Sequence, residues 1–297
     1  MAPLKISTPP AQPTAAGRSF AGYNPTWCVG CGDFGIHIAL QKSMKNQGLD
    51  PSKVQVMFGI GCSGNMNDFL NAYAMHGLHG RAIPNSIGAK LSNHELPTVV
   101  IAGDGDTYGE GGNHFMHGAR GNHDITVIIH DNGVYGLTTG QASSTAHKGY
   151  KSKSTPKGVV DTPLNPLMLA IVQGATFVAQ GFSFDPKLHE LITKAMEHKG
   201  FSLVNILQPC ATFNKVNTMQ YYKEHSYHLP EDYNPTDRKA AIMKAMENTD
   251  AEEKFPLGVI YQEERPPYHA LLTQLEKAPL NKRERFMGWE KLAKAFV

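Results

Sequence analysis

Four cysteines and two short acidic turns carry most of the chemistry legible in this chain of 297 residues. Cys28 and Cys31 stand in a CxxC segment with Gly30 and Gly32 beside them, so both sulfurs can converge on one metal without crowding. Cys62, in GIGCSGN, and Cys210, in ILQPCAT, fall at expected strand ends in otherwise cysteine-free sequence. Taken alone, the CxxC reads equally as a redox pair or an incidental turn. Four soft thiolates together suit either a [4Fe–4S] cluster or a structural zinc ion. The two distant single cysteines fit a cluster braced against a sheet better than a compact zinc knuckle, and spacing leaves both open.

The first acidic turn is Gly103-Asp104-Gly105, placed after the apolar run Thr98-Val99-Val100-Ile101-Ala102. The glycines let the backbone turn tightly and a phosphate approach the amides, while Asp104 can ligate a divalent cation. The second is Asp131-Asn132-Gly133-Val134-Tyr135-Gly136, where Asn132 offers a side-chain carbonyl and the turn can aim the Val134 carbonyl inward. A hard octahedral ion such as Mg²⁺ takes oxygen ligands supplied partly by phosphates, and these two loops form a cradle of that kind. Asp106 and Asp131 also read as plain turn caps. The pairs His76/His79 and His114/His117 are each three apart, a spacing as ordinary for surface or packing histidines as for zinc. The neighbouring GGN makes His114 a candidate for hydrogen bonding near a cofactor.

These loops need strands to hold them. Residues 98–102 and 125–129 are short, rich in β-branched residues and separated by a helix expected from Gly111 or Gly112 to Arg120, which predicts a parallel crossover with both acidic loops at one sheet edge. A helix over 35–47, a strand over 54–58, a helix around Leu70, Tyr73 and Ala74, a strand–helix–strand unit over 175–207, a helix over 235–247 and a peripheral strand over 257–261 complete the reading. The fold class expected is α/β, a mostly parallel sheet with helices on both faces. Residues 1–22, rich in Pro, Ala, Ser and Thr, are expected to be a flexible tail or an arm laid over a partner. The main domain is expected over 23–255 and an extension over 256–297.

Composition narrows the function classes. With 28 basic against 26 acidic residues the net charge is +2, too small to imply attraction to nucleic acid. No run of about 18 apolar residues and no basic-then-apolar leader are present, so a membrane role is not expected and a cytoplasmic protein is.

The text GDGDTYGEGGNHFMHGARGNHDITVIIHDNGVYGLTTGQ, with 26 residues between Gly105 and Asn132, resembles the β subunit of the 2-oxoacid:ferredoxin oxidoreductases. The likeness extends back through HGRAIPNSIGAKLSN and GIGCSGN to NPTWCVGCGDFG, covering roughly residues 22–215. It implies a thiamine-diphosphate-binding fold. It also implies that Asp104, Asn132 and the Val134 carbonyl hold Mg²⁺, with Gly103, Gly105 and Asp106 near the diphosphate. In that family Cys28, Cys31, Cys62 and Cys210 would be the ligands of one [4Fe–4S] cluster. The implied activity is coenzyme A-dependent oxidative decarboxylation of a 2-oxoacid, with electrons passed to ferredoxin. No catalytic residue is assigned to this chain, because the resemblance places the cofactor-activating glutamate on a separate α subunit, in an expected α₂β₂ assembly.

The loop Tyr135-Gly136-Leu137-Thr138-Thr139-Gly140-Gln141 is the local candidate for approaching substrate, with Leu137 and Thr139 in it and Asn65 in the neighbouring loop. Broad-substrate relatives carry lysine where Thr139 stands, and several place a positive residue at the position of Asn65. The length, the single-cluster cysteine set and the text YQEERPPYH resemble the two-subunit 2-oxoglutarate branch. Pyruvate or broad specificity is the alternative. A non-oxidative thiamine enzyme would leave the thiols without work, and a non-enzymatic iron–sulfur scaffold would leave the cation cradle unexplained.

Overall fold

The computed structural model describes residues 18–248, 254–283 and 288–294. Its strands are β1 Gln55–Phe58, β2 Tyr73–His76, β3 Thr98–Gly103, β4 Ile125–Asp131, the short pair β5 Val134–Tyr135 and β6 Gln141–Ala142, then β7 Phe177–Phe182, β8 Phe201–Leu207, β9 Ser226–His228 and β10 Phe255–Gln262. Its helices are α1 Asp33–Asn46, α2 Met66–Phe69, α3 Ala82–Ser92, α4 Gly112–Gly121, α5 Pro166–Gln173, α6 Leu188–Glu197, α7 Met219–His225, α8 Arg238–Met246 and α9 Trp289–Lys294.

An eight-stranded sheet in the order β2-β1-β3-β4-β8-β7-β10-β9 forms the middle layer. The first six of these strands run parallel, and β10 joins β7 antiparallel. Side chains alternate along each central strand and so feed two cores. Val100, Ala102, Val127 and Ile129 pack with Phe115, Ala119, Leu167, Ile171 and Ala241 from α4, α5 and α8 on one face. Val99, Ile101, Ile128 and Val204 pack with Ile36, Leu40, Met44 and Ile192 from α1 and α6 on the other. Burial on both faces is why Val99–Ala102 of β3 and Ile125–Ile129 of β4 are apolar but for Thr126.

Two sequence expectations change, and the helix expected from residue 111 or 112 is present as α4 with an addition before it. Leu70, Tyr73 and Ala74 do not share a helix: α2 ends at Phe69, Leu70 bridges to Ala21, and Tyr73–His76 is the exposed edge strand β2. Three apolar residues at helical spacing were no core stripe, and backbone pairing to β1 took the segment instead. The helix expected from residue 111 or 112 is preceded by a π-helical turn, Gly105–Glu110, that starts directly after Asp104. The boundary at 256 falls inside β10, which is integral to the sheet. Of the expected tail, residues 1–17 lie outside the described residues, whereas Phe20 is buried and the Gly22 amide donates to the Phe69 carbonyl at 2.9 Å.

Among the described residues no helix is long and apolar enough to cross a membrane.

Candidate functional site

Four neighbouring strands, β1, β3, β4 and β8, end at one edge of the sheet, where ligands bind in open α/β folds. Their loops bring Cys62, Asp104, Asn132 and Cys210 to that edge, as expected of a parallel crossover. A cleft of about 80 Å³ lies between the first three loops, walled by Cys62, His79, Asp104, His130, Asn132 and Gly136 among others. A wider hollow of about 710 Å³ opens near the opposite ends of these strands, lined by His198, Lys199 and Arg265 among others. None of the site residues singled out from the sequence lines it, so size alone does not choose the site.

The cleft is tightly cross-braced. Asp106 does not extend into open space: its carboxylate accepts from the Ile60 amide at 3.1 Å and the Gly80 amide at 2.9 Å, tying the loops after β1 and β2 to the turn after β3. His79 Nδ1 stands 2.7 Å from the same oxygen without hydrogen-bond alignment. Gly59 has no side chain because a Cβ there would collide with Asp106. Gly105 meets a different neighbour from the one its motif suggested. The Tyr135 ring lies against it, in the volume a Cβ would need, and the Tyr135 hydroxyl donates to the Gly105 carbonyl at 3.2 Å.

Asp104 is buried, and its Oδ2 accepts from the Gly133 amide at 3.2 Å, from Thr145 Oγ1 at 2.6 Å and from Ser143 Oγ. Burial pushes its pKa above the usual carboxylate range, and those donors oppose the shift. Asp131 faces it, pushed up to about 7 by burial and by the charge of Asp104. Two buried carboxylates this close repel when both are ionised, and a divalent cation beside Asp104 would offset that repulsion. Asn132 Oδ1 accepts from the Val134 amide at 2.9 Å, with a second lone pair left for a cation. Among the described residues no three His, Cys, Asp or Glu side chains gather around one point as metal ligands. The cradle read from the sequence asks for one carboxylate, one amide oxygen and one backbone carbonyl.

The four cysteines are unpaired. Cys62 and Cys210 flank Gly136: a Cβ on that glycine would lie 3.4 Å from one sulfur and 3.8 Å from the other. Cys28 and Cys31 precede α1, the Cys31 amide donating to the Cys28 carbonyl at 3.0 Å and the Gly32 amide to the Pro209 carbonyl at 3.1 Å. Trp27 Nε1 donates to the Cys62 carbonyl at 2.7 Å. Burial, with the charges of Asp33 and Cys210, pushes the Cys62 thiol up to about 12, and burial raises Cys31 further. Such thiols stay protonated without a metal and release protons on ligating one. Cys31 is buried, Cys62 and Cys210 are half-buried and Cys28 is exposed, so soft donors that suit a cluster stand at the rim of the site.

Leu137 lines the cleft and is exposed, while Thr139 sits at the loop tip with φ +77°. Left-handed backbone is uncommon for a β-branched residue and marks the loop as strained. Asn65, half-buried, precedes α2, just beyond the Cys62 loop. His114 is not brought to the cleft wall: it sits on α4 in the field of Arg81 and His117, which together with burial lower its basicity.

Sequence reasoning missed Asp33, His130, Ser143, Thr145, Asn205 and Gln208. His130 is buried at the cleft wall, its Nδ1 2.5 Å from Asp33 Oδ1 and its Nε2 without a partner. A buried ring nitrogen without a partner, on a residue that lines the cleft, is a polar group the fold itself leaves unsatisfied. No local signal marks these residues, because each acquires its role from a strand or loop distant in sequence.

The family model of the thiamine pyrophosphate enzyme C-terminal TPP binding domain matches residues 59–206, and that of the C-terminal part of the pyruvate ferredoxin oxidoreductase β chain matches 210–277. The chain is 46% identical over 252 residues to a 2-oxoacid:ferredoxin oxidoreductase subunit beta of Saccharolobus solfataricus, covering 80% of this chain and 82% of that one. It is 38% identical over 212 residues to a 2-oxoglutarate synthase subunit KorB of Archaeoglobus fulgidus, covering 71% and 78%. Among solved structures, a 2-oxoglutarate:ferredoxin oxidoreductase from Magnetococcus marinus, with 2-oxoglutarate, coenzyme A and succinyl-CoA bound, superposes with a TM-score of 0.86 at 37% identity, covering 97% of this chain and 99% of that one.

Proposed function

We propose, from the premise that this chain belongs to the β subunits of the 2-oxoacid:ferredoxin oxidoreductases, that with an α subunit it decarboxylates 2-oxoglutarate oxidatively to succinyl-CoA and CO₂. Electrons leave to ferredoxin, and a sufficiently reduced acceptor pool drives the reverse carboxylation. Thiamine diphosphate, when bound, supplies the carbon nucleophile that this chemistry needs. In this reading Asp104, Asn132 and the Val134 carbonyl hold Mg²⁺. Gly103, Gly105 and the backbone of Asp106 approach the diphosphate in the turn after β3, where glycine lets a phosphate come close to the backbone. Cys28, Cys31, Cys62 and Cys210 hold one [4Fe–4S] cluster.

The observation that carries the proposal is the position of Gly136. It lines the cleft together with Cys62, and a Cβ on it would lie 3.4 Å from the Cys62 sulfur and 3.8 Å from that of Cys210, so an electron acceptor held by those thiols would adjoin the cleft that the two acidic loops form. Leu137, Thr139 and Asn65 bring no positive charge to the substrate side, and the cationic contacts for a second carboxylate come from α, which also contributes the activating glutamate in an α₂β₂ assembly. The 2-oxoglutarate names among the relatives support this branch. A cytoplasmic location and the absence of nucleic-acid and membrane partners belong to the same proposal.

Anaerobically purified αβ complex is expected to contain about four iron atoms per β chain. It should show a broad brown absorbance that bleaches with 2-oxoglutarate and coenzyme A, and β alone should turn over little. Zinc without iron would defeat the cluster. A tenfold higher kcat/KM for pyruvate, about 1.4 kcal/mol in transition-state binding, would overturn the substrate while leaving the enzyme class.

A further inference from the structure

Gln208 is buried immediately after β8 and touches both halves of the site. Its Oε1 accepts from Asn132 Nδ2 at 2.6 Å, and its Nε2 donates to Cys31 Sγ at 3.3 Å and to the Pro209 carbonyl at 3.0 Å. The orientation of both amides is dictated by their neighbours. The Val134 amide can only donate, so the Asn132 atom facing it is oxygen and the Asn132 NH₂ faces Gln208. Gln208 must therefore present its oxygen there and its NH₂ to Cys31, an arrangement the Pro209 acceptor reinforces. Gly32 leaves the room for this, since a Cβ there would lie 2.8 Å from Gln208 Cγ.

We infer that Gln208 is a positioning residue shared by two cofactors: its N–H sets the reduction potential of the cluster through Cys31, and its carbonyl fixes Asn132 in the cation cradle. The inference rests on the cluster and cradle proposed above. A metal-bound Cys31 sulfur has no proton and can only accept, and Gln208 supplies a neutral donor from within a buried wall. Hydrogen bonds to ligand sulfur disperse negative charge, which favours the more negative, reduced cluster and raises its potential. On the other side, losing the Gln208 oxygen leaves Asn132 Nδ2 buried without an acceptor and free to rotate its Oδ1 away from the cation.

The test uses the anaerobic αβ complex as wild type, Gln208→Met, which keeps the volume without the amide, and Gln208→Glu, which keeps an acceptor for Asn132 and removes the donor to Cys31. Midpoint potential is read by EPR-monitored redox titration, and Mg²⁺-dependent thiamine diphosphate affinity by calorimetry after cofactor removal. Both variants are expected to lower the cluster's reduction equilibrium about tenfold, which is about 59 mV for one electron. Only Gln208→Met should weaken thiamine diphosphate binding, by about tenfold. A Gln208→Met potential within twofold of wild type in equilibrium constant overturns the tuning role, and unchanged cofactor affinity in that variant overturns the bracing role. Failure of both variants to load iron while folded by circular dichroism also overturns it, because a tuning residue leaves the cluster in place. Wild type without iron is a different result and defeats the cluster itself.

Discussion

Asp104 and Asp131 face each other across one hydroxyl, Thr145 Oγ1 lying 2.6 Å from the first and 2.7 Å from the second. That oxygen has one proton and cannot donate to both. Asp104 keeps the Gly133 amide and Ser143 as further donors and Asp131 keeps Asn205 Nδ2 at 2.9 Å, so the hydroxyl is the one group shared between the two carboxylates. Thr145→Val is expected to destabilise the metal-free protein by about 1–3 kcal/mol, the cost of an unsatisfied buried polar group. Mg²⁺ with thiamine diphosphate should recover part of that loss, and thermal unfolding with and without the pair measures it. An equal loss in both conditions would detach Asp104 from the cation.

Gly136 should tolerate one methyl and no more. A Cβ at 3.4 Å from Cys62 Sγ is a tight contact that a small shift can absorb, so Gly136→Ala should keep its iron. Gly136→Val, with two further methyl groups pushed toward the sulfurs or into the cleft, should lose more than half of it. Iron analysis and the visible spectrum of the two purified variants decide the matter, and full iron in the valine variant would place the cluster elsewhere.

The loop-tip strain at Thr139 predicts a gain on its removal. With φ at +77°, Thr139→Gly should stabilise the chain by about 0.5–1 kcal/mol, the left-handed penalty less the entropy of glycine. Thr139→Lys should shift the ratio of kcat/KM for 2-oxoglutarate and pyruvate, with thiamine diphosphate affinity unchanged. Loss of cofactor binding in the lysine variant would move residue 139 from the substrate side to the cofactor.

Acid should destabilise the fold at a second, distant place. His198 Nε2 is 2.7 Å from Thr176 Oγ1, whose own proton goes to Asn122 Oδ1 at 2.7 Å, so His198 is the donor there. Burial lowers its basicity below the ordinary histidine value of 6.5, against the opposing charges of Asp124 and Glu264. The unfolded chain therefore binds the proton first, and the stabilisation present above about pH 6.5 is lost as pH falls through the folded value. His198→Gln should flatten the dependence of Tm on pH between about 7.5 and about 5, the window in which histidine changes charge. An unchanged slope would assign the acid sensitivity to His123 or His269.

Much of the framework was legible because it is buried on both faces. The runs that became β3 and β4 could be nothing but central strands, and a parallel crossover then forced the GDG and DNG loops together at one edge. Edge strand β2 was illegible for the opposite reason: all four of its residues are exposed, so no core pattern marked it. Within the site, the sequence pointed to the cysteines, Asp104 and Asn132 by residue type, and Cys62, Asp104 and Asn132 line one cleft. Their supports were not legible. Asp33 meets His130 across 97 positions, and Gln208 meets Cys31 across 177, distances over which a histidine, an aspartate or a glutamine carries no local sign of its partner. His114 was singled out from its sequence neighbours, and on α4 it is not among the residues that wall the cleft.

The contact between Gly105 and Tyr135 makes these two positions an epistatic pair. Any side chain at 105 must displace the tyrosine ring, and Gly109 is hemmed in by the same hydroxyl, so two glycines are held in place by one aromatic residue. A descendant that had abandoned its coenzyme would still be barred from changing Gly105 until Tyr135 had first been replaced by something smaller. The familiar glycine–aspartate–glycine text can thus outlive the chemistry it advertises, and in such a descendant the informative letter would be the aspartate between the glycines, which no neighbouring ring protects from substitution.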